Sequence, residues 1–245
     1  MSEVAIVTGA SRGIGAATAR LLGQRGYQVC VNYRTEPEAA ERLCAQIEAG
    51  GGRAIAVAAD VSDAGQVERM FAAVDRELGP VTALVNNAAS IGPTTRVADL
   101  ELHDLQRVLA VNVVGVVLCT QQALRRMSTA AGGSGGAIVN VSSGAAYLGG
   151  PGASVHYAVT KGAVNSFTIG VSQEVMADGI RVNAVSPGLT DTAMVRHTDM
   201  ATAAAAIPAG RVAQPEEVAE AIVWLLSPQA RFVAGANIRV AGGRP

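Results

Sequence analysis

The amino-acid sequence predicts a doubly wound α/β fold, in which one parallel sheet of seven strands is covered by helices on both faces. Three observations lead there. Short β-branched runs that are almost continuously apolar recur along the chain, helical stretches alternate with them, and no linker or internal repeat divides the 245 residues. A strand that is apolar at every position, rather than at every second one, is buried on both faces, as in parallel sheets.

The elements follow in order. The first strand is VAIVT, residues 4 to 8, followed by a helix over about 14 to 24. Then come QVCVNY (28 to 33) with a helix over 36 to 49, and AIAVAAD (54 to 60) with a helix over 63 to 78. TALVNN (82 to 87) precedes a long helix over 101 to 130, and AIVNVS (137 to 142) a helix over 155 to 177. IRVNAVS (180 to 186), a helix over 215 to 227 and NIRV (237 to 240) complete the series. Strand, helix, strand repeated this often implies right-handed crossovers. The GGSGG run, Gly132 to Gly136, sits directly before a strand and reads as a surface loop. Gly188 to Ile207 is the most irregular stretch and follows a strand's carboxyl end, where open α/β sheets bind ligands, so it is a candidate substrate lid. One domain over residues 1 to 245 is expected.

Composition excludes several classes of function. With 19 basic and 20 acidic residues there is no field suited to nucleic acid or to an anionic membrane. The longest apolar run, Val108 to Cys119, is interrupted by Asn112 and too short to span a bilayer. No basic segment leads into an apolar one near the start, so the chain is expected to be soluble and cytoplasmic. Cys30, Cys44 and Cys119 form no close pair, and His103, His156 and His197 are widely spread, so no metal is expected.

The first strand runs into VTGASRGIG, with glycines at 9, 13 and 15. Glycines at a strand-to-helix turn let backbone N–H groups approach a pyrophosphate, and the helix N-terminus adds partial positive charge. The second strand ends in Asn32, Tyr33 and Arg34, where an NAD enzyme presents an acid to the ribose 2′-hydroxyl. Here Tyr33 and Arg34 stand instead, and Arg12 lies in the glycine loop. Two guanidinium groups suit a 2′-phosphate, so NADP is the favoured cofactor.

In HYAVTK, His156 to Lys161, Tyr157 and Lys161 are four apart and share a helix face. An ammonium about 4 Å from a phenol is worth roughly 4 kcal/mol at an effective dielectric of 20, enough to bring the tyrosine within reach of neutrality. Ser143, at the end of the fifth strand, is placed by the fold at the same sheet edge as the glycine loop.

Taken together, these motifs resemble the short-chain dehydrogenase/reductase family over almost the whole chain: TGASRGIG, DVSD (60 to 63), NNAA (86 to 89), NVVG (112 to 115), VSS before Y-x-x-x-K, SPGLTDT (186 to 192) and GRVAQPEEVAEAIVWLL. The resemblance, which extends to 3-oxoacyl carrier-protein reductases and glucose dehydrogenase-like members, implies a single Rossmann-like domain. By it, Tyr157 exchanges a proton with the substrate oxygen, Ser143 orients that oxygen, and Lys161 lowers the tyrosine pKa and holds the nicotinamide ribose. Asn112 kinks its helix and helps anchor a water. Gly9, Ser11, Arg12, Gly13, Ile14 and Gly15 would hold the phosphates, with Tyr33 and Arg34 at the ribose. Asp60 and Val61 would border the adenine, Asn87 and Ala88 a ribose, and Pro187, Gly188 and Thr190 the nicotinamide amide. The implied activity is hydride transfer between NADP(H) and a carbonyl or secondary alcohol, in a homotetramer.

The chain departs from the family pattern at Ala89, in NNAA for NNAG, and near the end, in VAGG for VDGG. Thirteen residues separate Ser143 from Tyr157, one more than in many members, which keeps Ser142 as the alternative serine. The alternative functions are a non-catalytic dinucleotide-sensing or interaction protein, or an NAD-linked sugar or polyol dehydrogenase. An enoyl reductase is disfavoured by the three-residue gap between Tyr157 and Lys161. His156 reads as structural or pocket-lining, Trp224 as core or interface, and Tyr147, Leu148 and Met194 to Met200 as pocket lining.

Overall fold

The computed structural model describes residues 3–195 and 200–244. Along the chain run β1 (Val4–Val7), α1 (Gly13–Gln24), β2 (Gln28–Tyr33), α2 (Pro37–Ala49), β3 (Arg53–Ala58), α3 (Ala64–Glu77) and β4 (Ala83–Asn86). Then follow α4 (Leu102–Leu109), α5 (Gly115–Met127), β5 (Gly136–Val141), α6 (Ala145–Leu148), α7 (Val155–Val175), β6 (Ile180–Pro187), α8 (Met200–Ala205), α9 (Pro215–Leu226) and β7 (Asn237–Val240).

The seven strands form one sheet, every pair parallel, in the order β3-β2-β1-β4-β5-β6-β7. The chain builds outward from β1 to β3, returns to β4 on the other side of β1, and builds outward again. That reversal opens a crevice beyond the carboxyl ends of β1 and β4, the place where such sheets take ligands.

Alternation along each strand splits the core in two. Ala5 and Val7 face one way and join Leu22, Ile47, Val218, Ile222 and Leu226 beneath α1, α2 and α9. Val4 and Ile6 face the other and join Met70, Phe71, Val74, Cys119, Met127 and Val171 beneath α3, α5 and α7. Both layers are apolar, which is why the strand sequences show no polar face. Asp63 starts α3 by accepting a hydrogen bond from the Gln66 N–H at 2.9 Å, leaving the helix with a satisfied first turn. Pro215 occupies the first turn of α9, and the Glu217 side chain bonds back to the Gln214 N–H.

The predicted helix over 101 to 130 is interrupted. A single π-helical turn, Ala110–Val114, separates α4 from α5 and places Asn112 in its middle. The helical run Leu102–Met127 is long and apolar enough, by length and composition, to cross a bilayer, which the shorter run Val108 to Cys119 did not reveal. Here it packs on the sheet, burying Asn112, Cys119, Thr120, Ala123 and Met127. The four-residue α6 and six-residue α8 were not expected, because neither is long enough to show a helical period. Within the candidate lid, Thr190 bridges to Ala213, Ala193–Val195 makes a tight helical turn, and α8 follows. Residues 196–199, including His197, lie outside the described residues.

Candidate active site

Thr8 fastens the ends of β1 and β4 together. Its hydroxyl accepts from the N–H groups of Asn87 and Ala88, each at 3.0 Å, and donates to the Val85 carbonyl at 3.2 Å. The Asn87 amide returns to the Thr8 and Gly9 carbonyls at 2.8 and 3.1 Å. On the other side, the Asn32 carboxamide accepts from the Gly9 N–H at 3.1 Å and donates to the carbonyls of Val57 and Ala59. The sequence places Asn32 at the strand end without a role, because a buried asparagine there carries no motif.

The glycine turn is shaped by close approach. Gly9 has φ +61°, and a Cβ there would lie 2.9 Å from Ala88 Cα. A Cβ on Gly15 would lie 2.5 Å from Asn87 Nδ2 and 2.7 Å from the Gly9 carbonyl, so only glycine lets α1 start this close to the sheet.

Beyond this turn lies a cleft of about 430 Å³. Gly9, Ser11, Arg12, Gly13, Ile14, Tyr33, Arg34, Asp60, Val61, Asn87 and Ala88, the residues the sequence assigns to a dinucleotide, line it, and so does Ala89. Thr35, Glu36, Ser90, Ile91, Arg107 and Val111 line it too, and no motif announced them. Gly15 packs behind the turn. Arg12 pairs with Glu36, and Arg34 Nη1 lies 3.6 Å from Asp60 Oδ2. Burial opposes ionisation of Asp60, but hydrogen bonds from the Ser62 hydroxyl and N–H and the Arg34 guanidinium outweigh it and hold the carboxyl below its usual range. A backbone cradle closed to any Cβ, ending at two guanidinium groups, fits a phosphorylated dinucleotide.

Ser143, Tyr157, Lys161 and Asn112 do not line that cleft, and neither do Pro187, Gly188 or Thr190. The first four gather around the end of β5 and the first turns of α7. Tyr157 and Lys161 are buried, at 8% and 2% exposed. Lys161 Nζ donates to the Val141 carbonyl at 2.7 Å, and the Ser142 hydroxyl donates to the Lys161 carbonyl at 3.1 Å. Ser142 is therefore committed to the backbone of α7, whereas the Ser143 hydroxyl accepts from the Ala145 N–H at 3.1 Å and acts on the Tyr157 phenol, opposing the rise in its pKa. Of the two serines, the structure brings Ser143 to the tyrosine. The Gly144 N–H donates to the Pro187 carbonyl at 2.8 Å, which joins this group to the Pro187–Thr190 corner, where the Thr190 hydroxyl donates to Gly188.

One electrostatic expectation is reversed. Burial pushes the Tyr157 phenol above its ordinary value, and the Ser143 hydrogen bond opposes it only in part. Lys161 is itself pushed down to about 8 by burial, with Nζ 5.6 Å from the centre of the Tyr157 ring. The ammonium donates to the Val141 carbonyl at 2.7 Å and remains on the tyrosine's side of the helix. Desolvation dominates both groups.

Asn112 is fully buried. Its carboxamide accepts from the Ser90 N–H and donates to the Ser90 carbonyl, both at 2.8 Å, and donates to the Thr160 hydroxyl at 3.0 Å. Thr160 donates in turn to the Tyr157 carbonyl at 2.7 Å. The π turn thus aims Asn112 at the strap beside the cleft and at α7 together. His156 Nε2 lies 3.0 Å from the Ile91 carbonyl and holds the same strap, in keeping with a structural part. Tyr147 and Leu148, expected to line a pocket, are 48% and 41% exposed and do not line the dinucleotide cleft, and the Tyr147 ring lies beneath the Arg239 guanidinium. Trp224, at 42%, is not a core residue. All three cysteines are buried, and their thiols are raised by burial. No cluster of three or more His, Cys, Asp or Glu side chains suited to a metal occurs among the described residues.

Comparison with known proteins places this geometry. Residues 9–244 match a family model described as enoyl-(acyl carrier protein) reductase. The uncharacterized oxidoreductase YgfF of Escherichia coli is 48% identical over 98% of this chain and 99% of its own. A double mutant of a Serratia marcescens short-chain dehydrogenase/reductase superposes with a TM-score of 0.92 at 32% identity, covering 98% of this chain and 97% of the other. A blue fluorescent protein from a metagenomic library, solved in complex with NADPH, gives 0.91 at 32% identity with the same coverage. With motifs, sheet order and relatives in agreement over nearly the full length, the chain belongs to the short-chain dehydrogenase/reductase family of oxidoreductases.

Proposed function

We propose that the chain is an NADP(H)-dependent oxidoreductase that interconverts a carbonyl and a secondary alcohol. The observation that carries this reading is the convergence of Ser143, Tyr157 and Lys161 at the carboxyl end of β5, on the sheet edge that also holds an arginine-bearing dinucleotide cleft. Bound NADP(H) supplies or accepts the hydride.

The protein's own groups do the rest. Tyr157 gives a proton to the substrate oxygen during reduction, and its burial keeps the phenol protonated at neutral pH. Ser143 donates to the same oxygen and fixes its position. Lys161, pinned by the Val141 carbonyl, places positive charge beside the tyrosine as phenolate character develops. Asn112 holds the Ser90 strap and, through Thr160, the first turn of α7. Arg12 and Arg34 meet the 2′-phosphate, a role supported by the NADPH bound in the metagenomic neighbour.

The same reading makes the chain one Rossmann-like domain with Gly188 to Ile207 over the substrate, acting in the cytoplasm as a homotetramer. Exposed Val159 and Ile169 on α7 support burial of that face in a second copy.

The test is NADPH oxidation with a panel of ketones, sugars, 3-oxoacyl thioesters and 2-enoyl thioesters, repeated with NADH. Turnover of a carbonyl substrate is expected. Turnover of the enoyl thioesters alone, or of nothing by protein that binds NADPH, overturns the proposal.

A further inference from the structure

Both arginines that await the 2′-phosphate are already engaged. Arg34 faces Asp60, and Asp60 is fixed from behind by Ser62, whose N–H and hydroxyl reach Oδ1 at 2.9 and 2.6 Å. Arg12 is held differently. Its Nη1 donates to Glu36 Oε1, and among the described residues that carboxylate has no other side-chain partner. Glu36 immediately precedes α2 and lines the cleft with Arg12 and Arg34. Four charged groups, two of each sign, therefore surround the position that distinguishes the two dinucleotides.

Consider what each ligand meets. A 2′-phosphate is close to dianionic at neutral pH and must take Arg12 away from Glu36, then remain near the carboxylate it displaced. A ribose with two free hydroxyls demands no such exchange, and a nearby carboxylate can accept from its 2′-hydroxyl. Glu36 thus opposes one ligand and tolerates or helps the other. It stands outside the strand-end position from which cofactor preference was predicted, three residues beyond Tyr33, so the sequence pattern hid it.

Resting on the NADP(H) reading above, we propose that Glu36 is a specificity-determining residue: an internal counter-ion for Arg12 that competes with the 2′-phosphate and narrows the chain's preference for NADP(H) over NAD(H).

Calorimetric titration of the wild type, Glu36→Gln, Arg12→Ala, Arg34→Ala and the Glu36→Gln/Arg12→Ala double variant with NADPH and NADH tests this. The side chains lie at the surface, 64% exposed for Arg12 and 38% for Glu36, so the variants keep the fold, which circular dichroism verifies. Glu36→Gln should tighten NADPH about five- to tenfold, the sum of a lost competing pair and a lost repulsion, with NADH unchanged or weaker. In the Arg12→Ala background, the same substitution should change NADPH binding less than about twofold. Equal effects of Glu36→Gln on both dinucleotides, no effect on either, or a gain that persists without Arg12 overturns the proposal. A wild type that binds neither dinucleotide, or an Arg34→Ala variant with full NADPH affinity, strikes instead at the NADP(H) reading and takes the proposal with it.

Discussion

Lys161 Nζ donates to the carbonyl of Val141 at 2.7 Å, so the buried ammonium of α7 is tied to the last residue of β5. The bond accounts for how a nearly inaccessible cation is tolerated. It also orders the functional expectations, because the cation and the tyrosine are governed by burial before they act on each other.

Removing the Tyr157 hydroxyl should separate chemistry from binding. Tyr157→Phe is expected to lower kcat at least about a thousandfold, with NADPH affinity within about threefold of wild type. Stopped-flow turnover alongside equilibrium titration checks both numbers, and retained activity removes Tyr157 from its role.

The two adjacent serines should behave differently. Ser143→Ala is expected to reduce kcat about a hundredfold, and to cost at most about 1 kcal/mol of stability for the lost bond from the Ala145 N–H. Ser142→Ala should cost about 1 kcal/mol in urea unfolding, the value of its buried bond to the Lys161 carbonyl, and change kcat only a few-fold.

Burial of Lys161 makes stability depend on pH. Its folded-state pKa of about 8 lies below the unfolded value near 10.5, so the unfolded chain binds the extra proton between those limits. Stability from this group is therefore lowest below pH 8 and recovers as pH rises toward 10.5, by about 3 kcal/mol at 1.36 kcal/mol per pKa unit. Urea midpoints of wild type and Lys161→Met compared from pH 7 to pH 10 measure it. The wild type should gain on the variant as pH rises, and parallel curves refute the assignment.

Asn112→Ala should leave the backbone N–H and carbonyl of half-buried Ser90 without their side-chain partner. A loss of about 2–4 kcal/mol is expected, with hydrogen exchange at Ser90 accelerating more than exchange in β4.

Much of this was legible before any coordinates, and particular residues show why. The strands declared themselves because parallel sheets bury both faces, as Val4 and Ile6 on one side and Ala5 and Val7 on the other demonstrate. The glycine turn was readable because glycines 9 and 15 fill positions closed to any other residue. The polar pins were not readable. Thr8 and Asn32 act by reaching backbone groups up to 80 residues away, and such pairings leave no local period or spacing. The direction of the Tyr157 pKa was misjudged because burial, which outweighs the neighbouring groups, leaves no mark in residue spacing.

The bonds from Thr8, Asn87 and Asn32 have a consequence for how quickly a nucleotide is captured. Because they brace the turn after β1 from both flanking strands, little conformational entropy remains to be lost when a nucleotide docks. Association is then governed by diffusion into the crevice rather than by loop rearrangement, and affinity differences among variants of this turn will be expressed as residence times.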